Sequence, residues 1–150
     1  MKEPFIVKEE DLKDIAERVV TTLAGSDTGL AKVLLLDGDL GAGKTTFTKV
    51  LAEVLGIEKE EVHSPTFILK KEYKGSHPFF KKLIHIDAYR FDDPEEANVL
   101  KLDHDRKNED TLIVIEWPAK MVCEGEDMTI SFTVLDDDTR EMMINYAHTR

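Results

Sequence analysis

The sequence predicts a single α/β domain spanning residues 1–150, in which helices flank a mixed, mostly parallel β-sheet and a β-hairpin closes the chain. Two observations favour this fold class. Continuous apolar runs at 33–36 and 112–115 are typical of strands buried on both faces of a sheet. A glycine-rich turn and a helical pattern come directly after the first run. At 150 residues the chain is long enough for one such domain to bury its own core.

Two elements precede the glycine-rich turn. A helix is predicted over residues 9–24, because apolar residues recur there at helical spacing and the acidic residues at 9–11 lie where the helix dipole favours negative charge. A loop containing two glycines follows at 25–29. The apolar segment at 31–37 is then predicted to be a buried central strand.

The turn after this strand carries a phosphate-binding motif. Residues 38–45 satisfy G-x-x-x-x-G-K-[ST], the spacing of the phosphate-binding loop, or P-loop. The glycines let successive backbone N–H groups turn inward around an anion, Lys44 adds positive charge for the outer phosphates, and the Thr45 hydroxyl can ligate Mg²⁺. A chance glycine turn is the alternative, but the motif lies between a strand and a helix, as a P-loop requires. The predicted nucleotide-binding residues here are Gly38, Asp39, Leu40, Gly41, Ala42, Gly43, Lys44, Thr45 and Thr46.

The middle of the chain predicts an antiparallel pair of strands. A helix over 44–55 is expected to end at Gly56, which is a favourable C-terminal cap. Strands are expected at 67–73 and 79–89, joined by a turn at 74–78 that contains glycine and proline and is too short for a helical crossover. The sheet is therefore expected to be mixed.

Three further elements complete the predicted domain. Residues 93–96 carry helix-start signals, namely an aspartate cap, a proline and a glutamate at capping-box spacing, so capping explains these acids better than catalysis. The polar run at 103–110 is expected to be a loop, and 112–115 to be another buried strand. Alternating apolar residues at 130–134 and 142–146 predict the terminal hairpin, with one buried face.

Acidic and hydroxyl residues fall where ligands bind in open α/β sheets, beyond the carboxyl ends of the strands. Asp87 ends one apolar run and Glu116 ends another. Mg²⁺ needs oxygen ligands, and either carboxylate can join the Thr45 hydroxyl as a metal ligand or act on the attacking water. The structural alternative for Asp87 is capping of the following turn, and for Glu116 it is an ordinary exposed strand end. Thr66 lies in a loop after the P-loop helix and resembles a residue that senses the outer phosphate, whereas a packed or hydrogen-bonded role is expected for His85.

Composition excludes several classes of function. The net charge of −11 removes any broad attraction to nucleic acid or to an anionic membrane. The single cysteine, Cys123, excludes an intramolecular disulfide. No apolar run has the length of a signal peptide or a membrane span, and we expect a cytoplasmic protein that makes no contact with membrane or DNA.

Five lysines crowd around the predicted turn at 74–78. A solvated hairpin tip explains them, and a docking surface for an acidic partner or an RNA backbone is the alternative. They are Lys70, Lys71, Lys74, Lys81 and Lys82.

Five ordered blocks spanning 38–118 resemble the bacterial TsaE (YjeE) family, the ATPase component of tRNA threonylcarbamoyladenosine (t6A) biosynthesis. The length of the chain and the flanking elements agree with that family. The blocks are residues 38–46, Ser64-Pro65-Thr66-Phe67, His85-Ile86-Asp87-Ala88-Tyr89-Arg90, Asp93-Pro94-Glu95-Glu96 and Glu116-Trp117-Pro118.

The resemblance implies a P-loop NTPase fold that binds ATP and Mg²⁺. It implies that Thr45 and Glu116 hold the metal and that Asp87 occupies the position of the Walker B-like acid, so that Asp87 is a catalytic and a metal-site candidate. Which of the two acids ligates Mg²⁺ directly stays open.

The resemblance also implies contacts outside the P-loop. Ser64, Thr66 and Trp117 would lie near the nucleotide or a partner surface, and the start of the first helix, including Glu9, near the adenine. The implied partners are TsaD and TsaB, which form the threonylcarbamoyl transferase, with tRNA reached indirectly. The implied role is that of a slow ATPase acting as a nucleotide-dependent switch.

Two other nucleotide-binding functions agree less well with the sequence. A small-molecule kinase needs an acceptor pocket and usually an arginine-bearing lid, but the chain has five scattered arginines and no arginine-rich insertion. A GTPase-like module would carry an N-K-x-D guanine-reading sequence and a D-x-x-G switch, and neither occurs in the chain. The kinase is the stronger of the two alternatives.

Overall fold

In the part of the chain that the structure describes, seven strands form one sheet whose centre is parallel and whose two margins are antiparallel. The computed structural model describes residues 4–26, 28–38, 42–58, 62, 70–87, 102–116 and 126–146. The strands are β1 (Phe5–Val7), β2 (Lys32–Gly38), β3 (Lys70–Lys74), β4 (Lys82–Asp87), β5 (Thr111–Glu116), β6 (Met128–Val134) and β7 (Arg140–Tyr146).

The order of strands across the sheet is β1-β7-β6-β2-β5-β4-β3. The strands β6, β2, β5 and β4 run parallel, so their carboxyl ends meet at one edge. The outer pairs β1/β7, β6/β7 and β3/β4 are antiparallel. The mixed α/β fold predicted from the sequence is therefore confirmed, and the C-terminal hairpin joins the main sheet through β6.

Two helices cover one face of the sheet. The helix α1 (Leu12–Ala24) follows a single 3₁₀ turn at Glu9–Asp11, and α2 (Lys44–Val54) packs beside it. Apolar residues at helical spacing bury one side of α1 against the sheet, as its sequence pattern predicts. The buried side chains of this helix are Leu12, Ile15, Ala16, Val19, Val20 and Leu23.

Strand alternation divides the core between the two faces of the sheet. Leu34, Leu36 and Val114 join the cluster under α1 and α2. Val33 and Ile115 belong to a second cluster on the opposite face. Since both faces of β2 and β5 are apolar, their continuous hydrophobic runs are explained.

Two predicted boundaries need correction, and one strand is absent from the prediction. Strand β4 begins at Lys82 rather than at 79, because Phe79 and Phe80 pack edge to face against each other before the strand starts, with Phe80 fully buried. The polar run at 103–110 is not all loop, since a short helix, α3 (Leu102–Asp105), lies at its start. Strand β1 was not predicted at all. The proposed helix start at 93–96 lies outside the described residues.

The helices of the described part of the chain are all too short or too polar to cross a membrane.

Candidate functional site

The P-loop motif lies at the carboxyl end of β2, where the chain turns into α2. Gly38 has a φ of 149°, and a Cβ added to it would lie 2.7 Å from the Phe132 carbonyl oxygen. Gly43 has a φ of 110°, and nothing lies within 4 Å of an added Cβ. Gly38 is thus required by its backbone angle and by close packing, whereas Gly43 is required by its angle and leaves open space above the loop.

The start of α2 offers uncapped donors to that space. Its N-cap residue, Gly43, makes no side-chain capping hydrogen bond, and the first turn contains no acidic residue. The Lys44 side chain is buried and its Nζ donates to the carbonyl oxygen of Gly38. The backbone N–H groups of this turn, the positive end of the helix dipole and the Lys44 ammonium group therefore converge where a phosphate would bind.

Thr45 and Glu116 meet beside the P-loop. The Thr45 Oγ1 lies 3.1 Å from Oε1 and 3.3 Å from Oε2 of Glu116. Glu116 ends β5 and is only 2% exposed, and its backbone is in register with Leu36 of β2. Because β2 and β5 are parallel neighbours, a carboxylate at the end of β5 reaches the first turn of the helix that follows β2.

His85 is the second partner of the Glu116 carboxylate. It lies on β4, is fully buried, and its Nε2 is in hydrogen-bond contact with Oε2 of Glu116. Carboxylates only accept hydrogen bonds, so Nε2 carries the proton in this contact. The expectation of a packed, hydrogen-bonded histidine is confirmed, and its partner is the acid of the site.

Asp87 lies beside Glu116 at the same edge of the sheet. The two residues are paired in register between the parallel strands β4 and β5, and Asp87 is half-buried. Neighbouring residues in register project to the same face of a sheet, which is also the face covered by α2. The two candidate acids and the Thr45 hydroxyl are thus brought together.

The oxygen donors at this edge fit a hard cation that takes only one or two of its ligands from the protein. Within the described ranges there is no group of three or more His, Cys, Asp or Glu side chains arranged to hold a metal. One hydroxyl and one carboxylate are oxygen donors, and Mg²⁺ is usually bound by one or two protein oxygens together with phosphates and water. A metal bound entirely by protein ligands is not what these residues offer.

A cavity of about 380 Å³ adjoins the P-loop. Its walls come from the start of the first helix, the first turn of α2 and the turn between β6 and β7. The lining residues are Val7, Lys8, Glu9, Glu10, Leu12, Ala42, Gly43, Thr46, Phe132, Asp137, Asp138 and Arg140.

Arg140 ties the β6–β7 turn to the P-loop. Its Nε donates to the Ala42 carbonyl oxygen at 3.2 Å, and its Nη1 donates to the carbonyl oxygens of Asp136 and Thr139 at 2.7 and 3.1 Å. Within the turn, the backbone N–H of Asp138 donates to the Asp136 carboxylate. This bond, with a smaller contribution from Thr139 and from the charge of Arg140, lowers the pKa of Asp136. The turn is therefore ordered by its own hydrogen bonds and attached to the phosphate loop.

Comparison with protein families identifies the group to which this architecture belongs. The family model described as Threonylcarbamoyl adenosine biosynthesis protein TsaE matches residues 6–142. The chain belongs to the TsaE family.

Curated TsaE proteins match over most of their own length. The tRNA threonylcarbamoyladenosine biosynthesis protein TsaE of Aquifex aeolicus is 35% identical, with 96% of each chain covered. The protein of the same name from Bacillus subtilis is 40% identical over 91% of this chain and 80% of its own. Among solved structures, Bacillus subtilis YdiB superposes with a TM-score of 0.64 at 29% identity, covering 99% of this chain and 88% of that one.

The site residues predicted from the sequence fall into three groups. Gly38, Ala42, Gly43, Lys44, Thr45 and Thr46 lie together on the P-loop and the first turn of α2, with Asp87 and Glu116 beside them. Glu9 lies apart from these acids, on the wall of the cavity. The remaining predicted residues lie outside the described ranges, namely Asp39, Leu40, Gly41, Ser64, Thr66 and Trp117. Their proposed roles stay predictions.

Two residues of this TsaE site were not recognised in the sequence. His85 precedes Asp87 by two positions, so strand periodicity places both side chains on one face of β4, but that this is the face of Glu116 depends on the register of β4 against β5. Arg140 carries no such signal, because its contact with Ala42 depends on how the C-terminal hairpin joins the sheet.

Two of the five lysines around the β3–β4 turn form ion pairs with neighbouring acids of the described chain. Lys70 pairs with Asp105 at 2.6 Å, Lys82 pairs with Glu72 at 3.4 Å, and Lys81 donates to the His77 carbonyl oxygen at 2.7 Å. These contacts favour the structural explanation of the lysine cluster over a docking surface.

Proposed function

We propose that this TsaE-family chain is a Mg²⁺-dependent ATPase in tRNA t6A biosynthesis, acting as a nucleotide-dependent switch on the TsaD–TsaB threonylcarbamoyl transferase. The observation that carries the proposal is the Thr45–Glu116 pair beside the uncapped start of α2. It joins the hydroxyl of the P-loop motif to a strand-end carboxylate, which is the usual pair of protein groups around a nucleotide-bound Mg²⁺. The names of the curated relatives supply the pathway.

The phosphate groups of ATP would be held at the start of α2. The backbone N–H groups of the P-loop donate to phosphate oxygens, and Lys44 supplies the positive charge. For this the Lys44 ammonium exchanges its contact with the Gly38 carbonyl for a phosphate oxygen. Breaking one hydrogen bond to a neutral carbonyl is offset by the stronger bond to a charged oxygen.

The oxygen donors beside the loop would hold Mg²⁺. Thr45 and Glu116 are the proposed ligands, and Asp87 is the neighbouring carboxylate that orients water or ligates through it. Bound Mg²⁺ would supply neutralisation of charge on the β- and γ-phosphates. Thr66 remains a candidate for sensing the γ-phosphate, and Trp117 for contact with the nucleotide or partner.

The nucleoside would enter the cavity beside the P-loop. Its volume of about 380 Å³ is within the ordinary range of small-molecule sites. Glu9 and Glu10, at the start of the first helix, and Asp137, in the β6–β7 turn, offer carboxylates at its walls. Carboxylates accept hydrogen bonds from ribose hydroxyls and from an exocyclic amine, and adenine carries such an amine.

Contact with tRNA would be made through the partner proteins. With a net charge of −11, the chain repels a phosphate backbone at long range. A switch of this kind hydrolyses ATP slowly alone, because partner groups complete the site. ATP binding would then favour one state of the complex and hydrolysis would reset it.

The test is ATP hydrolysis by this chain with and without TsaD and TsaB, repeated with Lys44→Ala and Glu116→Ala. We expect slow turnover alone, stimulation by the pair, and loss of the stimulated rate in both variants. A rate that is robust alone and indifferent to the partners would overturn the switch. Phosphoryl transfer to members of a small-molecule panel would instead support the kinase alternative.

A further inference from the structure

The Glu116 carboxylate is held from two sides. From α2, the Thr45 hydroxyl lies 3.1 Å from its Oε1. From β4, the His85 Nε2 contacts its Oε2. A carboxylate that is 2% exposed requires such partners, since burial without hydrogen bonds is costly. The two contacts together fix the plane of the carboxylate as well as its position.

The surroundings of the His85 ring do not explain why a histidine occupies this position. Its Nδ1 is buried and has no hydrogen-bond partner within the part of the chain that the structure describes. Its neighbours on the same face of the sheet, Leu83 and Val114, are fully buried apolar residues. A leucine at this position would pack among them without burying an unpartnered nitrogen. The imidazole therefore contributes its one bond to Glu116, and packing does not account for it.

We propose that His85 is a positioning residue that holds the Glu116 carboxylate in the orientation needed to ligate Mg²⁺. This inference rests on the proposed function of the site. His85 donates from Nε2 to Oε2, and the Thr45 hydroxyl lies 3.1 Å from Oε1 and 3.3 Å from Oε2, so that the two partners together set the orientation of the carboxylate. In this role His85 acts through Glu116 and is not itself a ligand of nucleotide or metal. Hydrogen bonds to metal-ligating carboxylates are worth about 10–100-fold in metal affinity when they are removed.

Three substitutions distinguish the effect of the hydrogen bond to Glu116 from the effect of the volume of the imidazole ring. In His85→Gln the amide nitrogen reaches about as far as Nε2 and keeps the donor. In His85→Asn the amide group lies near the place of Nδ1 and cannot reach Glu116. In His85→Leu no donor remains, while the packing volume is retained. Folding of each variant is checked by thermal denaturation in the absence of metal.

The measurement is binding of a fluorescent ATP analogue as a function of Mg²⁺ concentration, together with its affinity in EDTA. We expect the Mg²⁺ concentration at half-saturation to rise about 10–100-fold in His85→Asn and His85→Leu and to stay within about threefold in His85→Gln. The affinity in EDTA should be the same for all four proteins. If the role of His85 were only structural, substituting it would change both the Mg²⁺ dependence and the affinity in EDTA, or neither of them.

Unchanged Mg²⁺ dependence in a folded His85→Asn or His85→Leu protein would overturn the positioning role. Absence of Mg²⁺-dependent binding in the wild-type protein would instead overturn the proposed function. The wild-type measurement therefore tells a failure of the proposed function from a failure of the positioning role. If His85→Asn and His85→Leu both unfold, NMR spectra of the wild-type protein labelled with ¹⁵N-histidine test the positioning role instead. The Nε2 signal of His85 should move on addition of Mg²⁺ with ATP but not of ATP alone, and a signal that ignores Mg²⁺ contradicts the proposal.

Discussion

The Thr45 hydroxyl lies 3.1 Å from Oε1 of Glu116, so that the first turn of α2 and the end of β5 are joined at the edge of the sheet. If these two oxygens are the protein ligands of Mg²⁺, removing the hydroxyl should affect the metal and spare the phosphates. Thr45→Val should weaken Mg²⁺-dependent ATP binding about 10-fold or more, as loss of a buried bond to a charged group would predict. Thr45→Ser, which keeps the hydroxyl, should remain close to wild type.

The control for this substitution is ATP affinity in EDTA, measured by isothermal titration. It should be equal for wild type, Thr45→Val and Thr45→Ser. Equal Mg²⁺ dependence for the valine and serine variants would show that the hydroxyl takes no part in metal binding.

Gly43 and Gly29 provide a matched pair of glycines. Both have positive φ, of 110° and 72°, and open space where a Cβ would lie. Alanine at either position should lower the free energy of unfolding by about 1–3 kcal/mol through backbone strain alone. Only Gly43→Ala should also weaken ATP binding, because its Cβ enters the space above the P-loop. Similar ATP affinities for the two variants would contradict this assignment of the phosphate site.

Arg140 should support the P-loop through its bond to the Ala42 carbonyl. Arg140→Lys keeps the charge but loses the planar group that reaches Ala42, Asp136 and Thr139 at once. We expect ATP affinity to fall about threefold to tenfold, equivalent to about one hydrogen bond. Arg18→Lys, on the exposed side of α1, is the control and should bind normally. Equal ATP affinities in the Arg140→Lys and Arg18→Lys variants would show that the hairpin does not support ATP binding through the P-loop.

His77 makes the β3–β4 turn sensitive to acid. Its Nδ1 accepts hydrogen bonds from the backbone N–H groups of Phe79 and Phe80 at 3.0 and 3.2 Å. Burial, and secondarily the charge of Lys81, lowers the pKa of His77 below 6.5. As pH falls, the unfolded chain therefore binds a proton at His77 before the folded chain does. Stability should decline as pH falls below about 6.5 and on through the lowered pKa of the folded state, and it should not depend on His77 above about pH 6.5.

The variant that isolates this effect is His77→Asn, whose side-chain oxygen can accept the same backbone bonds without titrating. Urea unfolding of both proteins between pH 5 and 8 gives the contribution of His77 as a difference. A difference that stays constant over this range would refute the assigned role.

Much of the site followed from local sequence signals. The strand, glycine-rich turn and helix from β2 to α2 are contiguous, and their patterns agree, so the P-loop and the position of Thr45 were predictable. Glu116 was predictable as the end of an apolar run. Its contact with Thr45 required only that β2 and β5 be parallel neighbours, which continuous apolar runs favour.

The parts that were not predicted depend on tertiary contacts. Strand β1 has three residues and exists because it pairs with β7 at the edge of the sheet. The helix α3 contains poor helix formers, and its buried Asp105 is held by Lys70 at 2.6 Å. The contact between His85 and Glu116 depends on the register of β4 against β5, and register between distant segments is not written in either segment alone.

The central claim is that the P-loop, Thr45 and Glu116 form one Mg²⁺-ATP site. Isothermal titration of the wild-type chain with ATP, in Mg²⁺ and in EDTA, tests it most directly, with Lys44→Ala and Glu116→Gln measured alongside. We expect one ATP per chain, tighter binding in Mg²⁺, loss of binding in Lys44→Ala, and loss of the Mg²⁺ effect alone in Glu116→Gln. Binding that is absent in the wild type, or that is equally strong in all three proteins, would contradict it.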